Sequence, residues 1–66
     1  SMEKTEVKSR LIASAAYDDR SHLLYVHLHS GETKSLVAPR SMYENLITAD
    51  SPGWYYTRHI SPLAKG

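Results

Sequence analysis

The 66-residue chain contains no cysteine, which rules out both a disulfide staple and a thiolate zinc site. The same absence fits a cytoplasmic setting. Phenylalanine is also missing, and apart from Trp54 every aromatic residue is one of five tyrosines. A tyrosine hydroxyl needs a partner when its ring is buried. No apolar run approaches the ~20 residues of a membrane span, and the polar N-terminus has no apolar stretch of the secretory kind. Ser1 reads as a residue left by tag removal ahead of a native start at Met2. There is no glycine-rich phosphate loop, because Gly31 and Gly53 stand alone. The net charge is only +1, too weak for general duplex binding, which needs many phosphate contacts.

A chain this short buries only ~60% of the surface its unfolded form exposes. With no disulfide to help, association into a homo-oligomer is the expected supplement.

Charge is distributed unevenly. Residues 3 to 8 mix Glu and Lys and read as solvated, and residues 1 to 6 read as a flexible N-terminus ahead of a single domain over 7–62. From Thr33 to Tyr43 the only charges are Lys34 and Arg40, and from Ser51 onward they are Arg58 and Lys65, with His59 able to join. Two acid-free, weakly basic stretches that converge would suit an anion; a solvated surface is the simpler alternative.

The pattern predicts an α+β fold: a small three-stranded antiparallel sheet, a helix packed on one face, and a short C-terminal helix or strand. Val7 to Tyr17 is apolar enough for a strand, though its alternation is poor. Asp18-Asp19-Arg20-Ser21 is a turn cluster, since these side chains bond nearby backbone. Leu23 to His29 alternates, with Leu24, Val26 and Leu28 on one face and Tyr25, His27 and His29 on the other. Ser30-Gly31 turns the chain, and Thr33 to Val37 returns as the second strand of a hairpin. Pro39 opens a helix to about Ala49 whose apolar face is Met42, Tyr43, Leu46, Ile47 and Ala49. Ser51-Pro52 suits the start of a second short helix, with Tyr56 and Ile60 stacked four apart. Tyr-Tyr-Thr equally suits an extended segment.

In order, Val7, Ser9, Ile12, Tyr17-Asp18, Leu24-x-Val26-x-Leu28, Ser30-Gly31, Pro39, Tyr43, Leu46, Ala49-x-Ser51-x-Gly53-x-Tyr55 and Ile60 resemble the KTSC domain. That domain is named for a C-terminal extension of some lysyl-tRNA synthetases and also occurs as stand-alone small proteins in bacteria and phages. The resemblance covers residues 7 to 60. It implies a small α+β domain and, from the synthetase context, RNA binding; it brings no catalytic residues. The family's central Tyr-x-Tyr falls here on Lys34 and Leu36. A lysine suits a phosphate better than a stacked base, which shifts the expectation from RNA toward an anionic, nucleotide-sized ligand.

Three constellations bear on chemistry. His27 and His29 share a strand face and could chelate Zn²⁺ or Ni²⁺ with His22 or His59, but no carboxylate lies at a completing distance, and an interface face is the simpler reading. No nucleophile elbow, metalloprotease helix or paired carboxylate appears, so neither an enzyme nor a cofactor is expected. Trp54, Tyr55 and Tyr56 beside Arg58 and His59 could stack a base and hold a phosphate, as single-strand binders do. The competing reading puts Tyr55 or Tyr56 in the core and Trp54 over an edge.

The sequence thus predicts a non-catalytic oligomer that binds a phosphorylated nucleotide through Arg58, His59, Tyr55, Tyr56, Trp54, Lys34 and Arg40 and self-associates through Tyr25, His27 and His29. Stand-alone phage relatives imply one form: a sponge sequestering a nucleotide immune signal such as a cyclic oligonucleotide. An RNA-binding module and a protein-interaction or inhibitor module are the alternatives.

Overall fold

Four strands form one antiparallel sheet in chain order: β1 Met2–Glu6, β2 Ile12–Asp18, β3 Leu23–Leu28 and β4 Thr33–Val37. Helix α1, Arg40–Thr48, and helix α2, Pro52–Tyr55, follow. α2 runs directly into a π-helical turn, Tyr56–Ile60. This computed structural model describes residues 2–66, so Ser1 lies outside the described residues.

The hairpin forms where alternation puts it. Leu24, Val26 and Leu28 face the core, and Leu24 stands opposite Leu36. Gly31 takes φ +100° in the connecting turn, a conformation that costs a glycine little. α1 buries Tyr43 and Leu46 and lays Met42 and Ile47 against the same core. The Tyr17 and Tyr43 rings stack at 5.7 Å. Their hydroxyls are both bonded: Tyr17 donates to the Ala38 carbonyl at 2.8 Å, and the Tyr43 hydroxyl meets Thr5 Oγ1 at 2.7 Å.

Two expectations change. The sheet has four strands rather than three, because residues 1 to 6, read as a flexible N-terminus, include β1. An edge strand needs no apolar run, and here polar side chains fix it: Glu3 bonds Arg40 and Thr5 bonds Tyr43. Nor is Val7 to Tyr17 one strand, since β2 starts at Ile12 and its register with β3 shifts between Ile12 and Ser14. That bulge explains the poor alternation, because an extra residue moves later side chains to the opposite face. The C-terminal segment is helical, so the extended alternative is not what forms.

Candidate functional site

The π turn shapes the C-terminal surface. Its i→i+5 bond, from Ser61 N–H to the Tyr56 carbonyl at 2.8 Å, fits three exposed residues between the buried Tyr56 and Ile60. Those three are Thr57, Arg58 and His59. Wide turns of this kind are frequent at functional sites. Trp54, one turn earlier, is 57% exposed. The Arg58 guanidinium lies 5.1 Å from the Trp54 ring centre. The His59 ring meets Trp54 edge-on at 6.1 Å and Tyr55 at 4.8 Å. Tyr55 is half-buried, and its hydroxyl accepts from Asn45 Nδ2 at 3.4 Å. Trp54, Tyr55, Arg58 and His59 therefore form one cluster.

Three expected members stand elsewhere. Tyr56 is 4% exposed and belongs to the core, so of the two adjacent tyrosines only Tyr55 reaches the surface. Arg40 bonds Glu3 at 2.5 Å and Glu44 at 3.0 Å. The Glu3 bond comes first among the influences that raise its pKa. Lys34 lies opposite Val26 on the core side of the sheet, partly covered, with Nζ 3.6 Å from Glu32. Sequence showed an acid-free stretch around both cations, and folding supplies them with carboxylates.

Beside Trp54 opens a groove of about 480 Å³ between the β1–β2 loop and the start of α2. Its lining includes Lys8, Arg10, Asp50, Gly53, Trp54 and Thr57. Sequence reasoning missed Lys8 and Arg10, which lie more than forty residues from Trp54 and gave no local signal. Ser9, whose hydroxyl lies beside Gly53 of α2, is fixed within the β1–β2 loop and to the end of β3. Its hydroxyl accepts from the backbone N–H groups of Leu11 and Ile12, both at 3.1 Å. Its carbonyl lies 2.9 Å from His29 Nε2.

The sheet face away from the helices carries Tyr25 and His27, both half-buried. His27 Nδ1 is 3.0 Å from Thr33 Oγ1. His29 falls just beyond the end of β3, tied to Ser9 instead. Among the described residues no three metal-binding side chains gather.

The chain matches the KTSC domain family over residues 8–63. It is similar in fold to the crystal structure of a KTSC domain protein from Yersinia pestis, with a TM-score of 0.86 and 24% identity over 98% of this chain and 96% of that one. No curated protein matches it in sequence.

Proposed function

Because the chain belongs to the KTSC domain family, we propose that it is a non-catalytic binding protein for a phosphorylated nucleotide, with Trp54 and Arg58 as its recognition pair. One observation carries this reading: a tryptophan left 57% exposed, with a guanidinium over its ring and at its foot a groove where Lys8 and Arg10 outnumber the one carboxylate, Asp50. Exposed Trp and Arg are the residue types that dominate binding hot spots. A base stacks on the indole, and Arg58, released from the ring, turns its donors to a phosphate. Lys8 and Arg10 meet the remaining charge from the other wall.

The groups at the groove hold an anion; their chemistry is retention rather than cleavage. The groove is open, and a second copy of the chain would enclose more of a ligand than one domain can. In its fullest form the proposal is an oligomeric sponge for a cyclic oligonucleotide or a related signal, in a cytoplasmic setting. The only membrane statement the structure adds is that no described helix is long and apolar enough to span one.

A protein-interaction or inhibitor module is the second reading. It is favoured by the helix-free sheet face at Tyr25 and His27.

The test is native mass spectrometry with cyclic oligonucleotides, mononucleotides and short RNAs, on the wild type, Trp54→Ala and Arg58→Ala. An intact nucleotide at fixed stoichiometry, weakened about tenfold or more by either substitution (about 1.4 kcal/mol), supports the proposal. A cleaved ligand would make the protein an enzyme. Adducts confined to long RNA would make it an RNA-binding module. No adduct at all would leave the Tyr25–His27 face and a protein partner.

A further inference from the structure

The two edges of the sheet are unlike. The outer edge of β4 is blocked at its middle residue by the chain's own C-terminal segment: Ser35 N–H donates to the Lys65 carbonyl at 2.7 Å, and Lys65 N–H donates back at 2.8 Å. β1 ends the sheet on the other side, with no strand beyond it among the described residues. Val7 N–H donates to the Ala13 carbonyl of the neighbouring segment at 3.0 Å. Backbone groups alternate sides along a strand, so those of Thr5 and Glu3 also point toward β2. The N–H and C=O groups of Lys4 and Glu6 therefore point out of the sheet.

We infer that this edge is a docking surface for a second copy of the chain, β1 against β1, antiparallel about a two-fold axis at Thr5. Charge selects that register. A slip of one residue would join the helix-covered face of one protomer to the bare face of the other. An axis at Lys4 would set Lys4 against the partner's Lys4. An axis at Glu6 would set Glu6 against the partner's Glu6, and an axis at Glu3 would set Glu3 against the partner's Glu3. The axis at Thr5 puts Lys4 opposite the partner's Glu6 and Glu6 opposite the partner's Lys4. Opposite charges in direct cross-strand positions stabilise a pairing, and like charges weaken it.

The local structure prepares the strand. Glu3 and Thr5, on the helix side, are committed to Arg40 and Tyr43. Lys4 and Glu6, on the bare side, are exposed and have no ion-pair partner among the described residues. The edge is thus anchored to α1 before the partner arrives, which lowers the ordering cost of association. The same register sets the partner's Met2 opposite Lys8, at the rim of the groove. The inference does not depend on what the groove binds.

The experiment is sedimentation velocity over a concentration series without nucleotide, on the wild type, Lys4→Glu, Glu6→Lys and the double exchange, each checked for folding by circular dichroism. The wild type is expected to dimerise, and each single variant to weaken the dimer about tenfold or more, since two symmetric pairs become repulsive. The double exchange restores the dimer. Mixing the two single variants also restores it, because an acidic edge then meets a basic one. A wild type monomeric at about 1 mM, or a dimer indifferent to both single variants, would overturn the inference.

Discussion

A Cβ on Gly53 would lie 3.3 Å from the Ser9 hydroxyl oxygen. That hydroxyl cannot retreat freely, because it accepts two backbone N–H groups. Gly53 is therefore the residue that lets α2 seat against the β1–β2 loop, which forms the opposite wall of the groove.

Gly53→Ala sets two effects against each other. Alanine gains about 1 kcal/mol of helix propensity over glycine, while the new methyl presses on the Ser9 hydroxyl and strains its two hydrogen bonds. We expect net destabilisation of about 0.5–1 kcal/mol, measured by urea unfolding. Ser9→Ala alone is expected to cost about 1–2 kcal/mol, since the buried Ile12 loses its acceptor. In Ser9→Ala/Gly53→Ala the clash is gone, so the double variant should be more stable than the sum of the singles implies. Additive costs would mean that the close approach is not what keeps glycine at position 53.

Tyr17→Phe removes the bond to the Ala38 carbonyl inside the core. It is expected to cost about 1–2 kcal/mol. Tyr43→Phe frees Thr5, at a part-buried site, and should cost less. Its distinct signature is faster exchange of the Glu3 and Thr5 amides, which point toward β2, read by NMR. Uniform exchange changes across the sheet would show that Tyr43 does not anchor β1.

His22 adopts φ +61°, which a β-branched residue tolerates poorly. His22→Val is expected to lose about 1–2 kcal/mol. His22→Gly should be neutral or stabilising by up to about 1 kcal/mol. Thermal unfolding of the two variants checks the order, and equal effects would contradict it.

The Arg20 backbone N–H, 3.0 Å from Asp18 Oδ1, holds that carboxyl below its usual range. The folded value lies below the unfolded one, so the charge adds stability above about pH 4. That contribution fades as pH falls through the folded value. The difference in Tm between wild type and Asp18→Asn should thus shrink on acidification. A difference that persists at about pH 2 would exclude the carboxylate as its source.

Much of the fold could be read from the residues. Leu24, Val26 and Leu28 alternate cleanly, and Tyr43 and Leu46 keep helical spacing, because each faces a core that demands its period. β1 escaped notice since its partners, Arg40 and Tyr43, lie 37 and 38 residues away from theirs. The same distance hid half of the electrostatics: Arg40 pairs with Glu44 one helical turn on and with Glu3 from the far end of the chain. The Trp54–Arg58–His59 cluster was visible because it is local. Choosing between Tyr55 and Tyr56 was not, since adjacent residues differ only in their angle around a helix. Lys8 and Arg10 join the groove through tertiary packing alone.

The short bridge between Ser35 and Lys65 sets the valence of the molecule. A sheet with two bare edges is a bifunctional monomer and can grow into a ribbon; one with a single bare edge terminates after one addition. By occupying Ser35, the bridge breaks up the β4 edge and leaves β1 as the edge the proposed pairing would use. On that proposal, trimming the chain back from Lys65 would free Ser35 and open a second edge to the same kind of addition.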